Sequence, residues 1–240
     1  MSGHNKWGQI KHKKALTDAK RGKLFSKLVK EITVAARTGA PDPAMNPRLR
    51  AAIEHARADG LPKDNIDRAI AKAKGGGESE NLKEFLYEAV SADGMTILIE
   101  GISDNTNRTF NEIRHLLGEH NGHMADPGSL AWNFEKIGML HITQEDNAAK
   151  SEEDIEMAII DSGAADFTFD DNAWIVETVF TDREHVRSTL EASGIVIREA
   201  GHDYKPKSAV SLREDIHPAV EKLLNALTEH DDIQEVYTNL

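Results

Sequence analysis

The apolar residues of this chain change their spacing at Gly75-Gly76-Gly77, and that change limits the fold more than any other feature. Ahead of the glycines they recur at helical intervals. Phe25, Leu28, Val29, Ile32, Ala35 and Ala36 follow the i, i+3, i+4, i+7 pattern of a buried helix face, which Gly39 ends. Asn46 and Pro47 read as the N-cap and first residue of a second helix carrying Leu49, Ala52, Ile53 and Ala56. A third runs from about Pro62 through Ile66, Ala69, Ile70 and Ala73 to Lys74. No strand precedes the triple glycine and no Lys-Ser/Thr follows it, so it is a linker and not a phosphate loop.

Behind the linker short strands alternate with helices. Met95 to Glu100 is a strand, Asp104-Asn105 caps a helix carrying Phe110, Ile113, Leu116 and Leu117, and Ser129 to Glu135 is a second strand. A βαββαβ set follows: strand Gly138–Ile142, a helix around Ile155 to Ile160, a hairpin turning at Asp170-Asp171-Asn172, a helix from Asp182 to Ala192, and strand Ile195–Arg198. That is the ferredoxin-like order. One helix (Asp215 to Glu229) and one strand (Ile233 to Tyr237) remain, and they complete the unit begun at residue 82. The expected architecture is α+β: an N-terminal three-helix domain (1–77) and two ferredoxin-like α/β domains, with 137–205 inserted into a discontinuous domain of 82–136 plus 206–240.

Charge is distributed as unevenly as hydrophobicity. The chain has a formal net charge of −12, yet its first thirty residues hold nine Lys or Arg against the single acid Asp18. That surplus of eight leaves −20 for the rest. Lys20, Lys23, Lys27 and Lys30 fall on one side of the helical wheel, away from Phe25, Leu28 and Ile32. Glu31 is the one acid between Ala19 and Thr38, whereas an ordinary solvated face mixes both signs. Upstream, Lys6, Lys11, His12, Lys13 and Lys14 interleave with Trp7. Cations beside a stackable ring suit phosphates and unpaired bases. The candidate nucleic-acid contacts are therefore Lys6, Trp7, Lys11, His12, Lys13, Lys14, Lys20, Arg21, Lys23, Lys27 and Lys30. A membrane surface fits less well, because the apolar face is needed for the helical bundle.

The tight Gly60-Leu61-Pro62 turn could make a helix-turn-helix of residues 47–74, with Asn65, Arg68 and Lys72 facing a groove. Asp64 and Asp67 would repel phosphates there, and as complements of the helix dipole they suit an ordinary bundle. His120-x-x-His123 with Asp126 lies in a turn-rich loop without a further ligand, and Asp170-Asp171 is ordinary turn chemistry. No nucleophile elbow or P-loop occurs. No catalytic, metal or cofactor site is expected. Zero Cys, no apolar run of membrane length and no signal-peptide core place the chain in the cytosol as an expectation.

GHNKWGQIKHKK, DAKRGKLFSKLVKEI, NPRLRAAIEHARADGLPKDNIDRAIAKAKGG, SDNTNRTFNEIR and GSLAWNFEKIG together resemble the YebC family, over essentially the whole chain. That family includes the mitochondrial translational activator of cytochrome oxidase subunit one. The resemblance implies three domains and a role in gene expression. Bacterial members are described as probable DNA-binding transcriptional regulators. Mitochondrial and some bacterial members are described as ribosome-linked translation factors that help synthesis through difficult sequences such as proline runs. The family's Gly-rich YEGYGPGG is here Tyr87-Glu88-Ala89-Val90-Ser91-Ala92-Asp93-Gly94, an ordinary strand and turn, and of its IPKN only Pro206 and Lys207 carry over. By analogy the 104–108 stretch is polar contact surface, or else a helix N-cap. The expected activity is a non-enzymatic translation factor gripping ribosomal RNA or tRNA on the ribosome. The alternatives are a duplex-DNA-binding transcriptional regulator and a protein–protein adaptor acting through the acidic domains.

Overall fold

The computed structural model describes residues 18–74, 81–211 and 217–240. It is an α+β structure in which three N-terminal helices precede two antiparallel sheets. The helices are α1 (Asp18–Thr38), α2 (Pro47–Ala58) and α3 (Lys63–Lys74). Leu28, Ile32, Leu49, Ile53, Leu61 and Ile66 form their common core. Asn46 caps α2 as expected, its side chain accepting from the Leu49 amide at 3.0 Å while its own amide donates to the Ala35 and Ala40 carbonyls. Gly39 leaves the space that Asn46 occupies, since a Cβ there would collide with the Asn46 amide. The cap therefore fixes the turn between α1 and α2 as well as the start of α2.

The first sheet holds β1 (Lys83–Val90), β2 (Thr96–Ser103), β3 (His123–Met124) and β8 (Ile233–Thr238) in the order β3-β1-β2-β8. The hairpin β1–β2 takes the two central places, and the C-terminal strand β8 pairs with β2. Helices α4 (Thr106–Glu119) and α7 (His217–Thr228) cover one face, where Ile97, Ile99, Ile113, Leu117, Leu223 and Leu227 make the core. The tail thus completes this layer.

The second sheet holds β4 (Phe134–Thr143), β5 (Asp166–Asp170), β6 (Ala173–Val179) and β7 (Glu199–Pro206), ordered β5-β6-β4-β7, with α5 (Glu152–Asp161) and α6 (Arg183–Ala192). Its βαββαβ connection and strand order are those of a ferredoxin-like unit. Asp171 and Asn172 turn the β5–β6 hairpin with φ of 50° and 59°, the left-handed pair of a two-residue turn.

Two expected strands are placed differently. Of the expected strand Ser129–Glu135, only Phe134 and Glu135 are extended, as the start of β4; residues 129–133 are a turn and a short 3-10 helix (Ala131–Asn133), because the Glu88 carboxylate accepts the amides of Gly128, Leu130 and Ala131 and no ladder forms there. The pairing to β1 comes instead from β3, inside the segment read as a loop. β4 begins at Phe134, ahead of the expected division at 136/137, and runs unbroken to Thr143. Ile195–Arg198 is not a strand either. The Asn147 side chain satisfies both the amide and the carbonyl of Val196, Ile195 fills the core below α6, and the ladder starts at Glu199.

Candidate nucleic-acid interface

The lysine stripe of α1 is the part of the expected interface that lies among the described residues, and it meets the protein's own C-terminal turn. Lys20 Nζ pairs with Glu229 at 2.8 Å. Lys23 reaches the Glu229 carbonyl at 3.1 Å and the Asp231 carboxylate at 3.4 Å. Lys27 donates to the Thr228 carbonyl at 2.7 Å. Lys30 donates to the Asp232 carboxylate at 2.5 Å and the Asp231 carbonyl at 3.1 Å. All four lysines converge on residues 228–232, where α7 ends and its last carbonyls carry partial negative charge. Thr33, Val34 and Arg37 continue this face: Thr33 and Val34 are buried, and Arg37 bonds the Leu82 carbonyl. The stripe is thus a packing surface between the helical layer and the first sheet.

Asp232 anchors that surface. Its carboxylate is 5% exposed and accepts from Lys30, Ser103 (3.1 Å), Thr109 (2.7 Å) and Arg108 (2.9 Å). Burial alone would raise its pKa, but the Lys30, Thr109 and Arg108 hydrogen bonds and the Lys30 charge hold it well below the carboxylate range. Gly101 makes the approach possible, because a Cβ there would strike the Asp232 carbonyl and the Phe85 ring. Arg108 also pairs with Asp104 at 2.9 Å, while Asn105 caps α4 by accepting the Arg108 amide at 3.1 Å. The 104–108 stretch is therefore a helix cap tied to this anchor. Beside it lies a cleft of about 810 Å³, lined by Lys23, Lys30, Lys72, Arg108, Asp104 and Glu229 among others.

Two more polar nodes hold the layers together. Arg187 on α6 is 6% exposed and forks onto Glu54 of α2 at 2.6 and 2.9 Å. His55 lies within 3.2 Å of Glu31, 3.5 Å of Asp59 and 3.9 Å of Glu199. Burial lowers its pKa, but the Glu31 hydrogen bond and the three carboxylates prevail and raise it to about 9. Between the sheets, Glu100 accepts from His202 at 2.9 Å, Tyr237 at 3.1 Å and Tyr204 at 3.2 Å.

Of the expected contacts, Lys6, Trp7, Lys11, His12, Lys13 and Lys14 lie outside the described residues. Arg21 is exposed on α1, and Lys20 and Lys23 remain 57% and 52% exposed despite their pairing. Lys30, at 24%, is largely enclosed. In the helix-turn-helix reading, Arg68 bonds Asn65 and the Asp64 carbonyl along α3, so two of the three groove-facing candidates are engaged with each other. Among the described residues no group of three or more His, Asp or Glu could hold a metal ion.

Sequence reasoning missed the acidic turn as the partner of the stripe. The available signal was Val34, an apolar residue four positions after Lys30 on the same helix face. It missed Trp132 too. Read as part of a strand, that side chain is 69% exposed on the 3-10 helix.

Comparison with known proteins agrees with the fold along its length. Residues 5–76 match the family description "TACO1/YebC protein N-terminal domain", and residues 82–240 match "TACO1/YebC second and third domain". A "Probable transcriptional regulatory protein" of Desulfosudis oleivorans is 45% identical over 239 residues, covering 100% of this chain and 96% of the relative. One of Thermosipho melanesiensis is 45% identical, covering 100% and 93%. The crystal structure of a conserved hypothetical protein from Aquifex aeolicus superposes with a TM-score of 0.85 at 41% identity, covering 98% of this chain and 96% of that one. Matched by both family descriptions from residue 5 to residue 240 with only a short gap between them, this chain belongs to the TACO1/YebC family.

Proposed function

We propose that this chain is a non-enzymatic regulator of gene expression that binds nucleic acid through its basic N-terminal end, with the RNA of the ribosome, rRNA or tRNA, as its target in the cytoplasm. The carrying observation is the surplus of eight positive charges in the first thirty residues of a chain whose remainder is −20. Such a molecule offers a polyanion one strongly attractive end, while the net charge of the rest is unfavourable to it. A duplex wrapped by the whole molecule would meet those acids; a structured RNA gripped at one end would not. Relatives named as probable transcriptional regulators support the broader role in gene expression.

The intramolecular pairing of α1 refines the contact set. Lys6, Lys11, His12, Lys13, Lys14 and Arg21 carry the phosphate contacts, with Trp7 stacking. Lys20 and Lys23 join at the edge, and Lys27 and Lys30 hold the C-terminal turn. A duplex-DNA regulator is the second reading, favoured by the names of the relatives and by the short α2–α3 connection. Asp64 and Asp67, both exposed on α3, weigh against it.

Co-sedimentation with purified ribosomes over a salt series, with excess duplex DNA as competitor, tests this. About five phosphate contacts give a log–log slope of roughly −3.5 to −4.5. Pelleting with that slope, resistant to duplex and lost in Lys11→Glu/Lys13→Glu/Lys14→Glu, supports the ribosomal reading. Displacement by duplex transfers the function to DNA. Absence of pelleting and of duplex binding refutes both.

A further inference from the structure

The loop from Asp126 to Asn133 is held in place by hydrogen bonds from several directions. Glu88 on β1 is 5% exposed, and its carboxylate accepts three backbone amides, from Gly128, Leu130 and Ala131. A buried carboxylate is costly unless it is fully hydrogen-bonded. Here the bonds all go to one surface loop. Ser129 doubles back to the Asp126 carbonyl through both its amide and its hydroxyl, and Asn133 donates its amide to the Leu130 carbonyl. Phe134 then anchors the far end between the sheets, against Leu98 and Tyr237.

What this scaffold displays is Trp132. Its indole N–H is tied to the Ser129 carbonyl at 2.6 Å, yet the side chain is 69% exposed. An exposed Trp with its ring edge fixed has already lost the rotamer freedom that a stacking partner would otherwise have to remove. A cation stands at its base. The first residue of β4 pairs with the last of β7, Phe134 opposite Pro206, so the chain leaving β7 passes directly beneath the loop. Lys207 there donates its amide to the Asn133 carbonyl at 2.7 Å and its Nζ to the Trp132 carbonyl at 3.0 Å. Lys207 is itself exposed.

We propose that Trp132 and Lys207 form a second nucleic-acid contact, a platform on which one unpaired base stacks while its phosphate meets the Lys207 ammonium. The proposal rests on the nucleic-acid reading above and adds to it a preference for unpaired strands. Indole faces stack on any base, so the contact is strand-selective without being sequence-selective. A rigid ring with an adjacent ammonium suits a base and its phosphate better than an apolar protein side chain, which has no use for the cation.

The test uses the full-length protein and a fluorescein-labelled 12-residue RNA of mixed sequence, read by anisotropy as a single strand and in a duplex. Trp132→Ala should weaken single-strand binding about five- to a hundredfold, the range of stacking losses per base. It should leave duplex binding unchanged. Trp132→Phe should restore part of the loss, since a phenyl ring stacks but lacks the N–H that fixes the indole, and Lys207→Gln should lower the salt slope by about 0.7. Because the indole is exposed, the thermal midpoint of Trp132→Ala should match that of the wild type, which separates lost contact from lost fold. Unchanged single-strand binding by Trp132→Ala, beside a loss in Lys11→Glu/Lys13→Glu/Lys14→Glu, overturns the platform and leaves the N-terminal reading standing. The reverse pattern supports the platform and overturns the N-terminal reading. Equal losses on both RNA forms, or unchanged RNA binding with lost ribosome pelleting, overturn the assignment to an unpaired base; the second result gives the surface to a protein partner. No RNA binding by the wild type overturns both.

Discussion

Replacing Asp232 by Asn should loosen the hold of α1 on the rest of the molecule. The substitution keeps the size of the side chain, so what changes is charge and hydrogen bonding. Four donors meet this carboxylate: Lys30, Arg108, Ser103 and Thr109. An amide has one acceptor oxygen, and its NH₂ would face donors. Removing one partner of a buried ion pair costs about 3–5 kcal/mol. Lys30 and Arg108 keep 24% and 46% exposure and can rehydrate, so the expected loss is the lower figure or less, about 2–3 kcal/mol. Urea unfolding at pH 7 measures it. Hydrogen exchange of residues 18–38 and 228–232 should speed up together, because Lys30 and Asp232 join those two segments. The pH dependence follows from the depressed carboxyl pKa. A group depressed in the folded state contributes in full above its unfolded value, about 3.9, and loses that contribution as pH falls through the folded value. The difference between variant and wild type should therefore be the same at pH 7 and pH 5 and shrink only below about pH 4. A loss under about 1 kcal/mol at pH 7, or one already gone at pH 5, would refute the anchoring role; the first figure is what an exposed pair supplies.

Two other nodes give sharper readouts of the same layering. His55 is raised to about 9 from an unfolded value of 6.5, so its contribution is present in full below pH 6.5 and lost as pH rises through 9. The wild-type thermal midpoint should fall over that window while His55→Gln shows a flatter profile, with a difference of about 2 kcal/mol at pH 6 after discounting for the ring's contact with water. Parallel profiles would remove His55 from the account. Arg187→Met should cost about 3 kcal/mol by leaving Glu54 unpaired between α2 and α6. Adding Glu54→Gln should recover a good part of it, and a double variant no better than the single would show that packing, not charge, sets the cost.

Helix positions were legible because each carries local signals that tertiary contacts reinforced. Asn46-Pro47 fixes the start of α2, and the same asparagine also closes the α1–α2 turn. The hairpin at Asp171-Asn172 was equally plain, since both residues tolerate left-handed backbone. The completion of the first sheet by the C-terminal strand followed from element order alone. The misplaced strands have a common cause. Leu130 and Trp132 continue the alternation that leads into β4 at Phe134, and Ile195 and Ile197 that which leads into β7, but side chains distant in sequence took over the backbone groups ahead of each strand. Glu88 did so forty residues away and Asn147 forty-nine. No local pattern announces a carboxylate or amide that will capture a remote segment.

The lysine stripe shows the same limit acting on a functional inference. A one-signed helix face has two physical explanations: a polyanion outside the chain, or acids elsewhere within it. The −20 of the remaining residues made the second available from the start, and the turn Glu229-His230-Asp231-Asp232 supplies it. Folding thus compensates Lys20, Lys23 and Lys30 internally, so the α1 stripe no longer argues for a polyanion, and the functional inference has to be tested at Lys6, Lys11, Lys13 and Lys14. This changes how charge reversal must be interpreted. Glu at positions 20, 23 and 27 would set three carboxylates against Glu229, Asp231 and the last carbonyls of α7, so lost binding in that variant would report loosened docking as readily as lost phosphate contacts. Reversal at 11, 13 and 14 keeps Lys20, Lys23, Lys27 and Lys30, the α1 lysines that hold residues 228–232. A binding defect there, at unchanged thermal midpoint, is the result that speaks to nucleic acid.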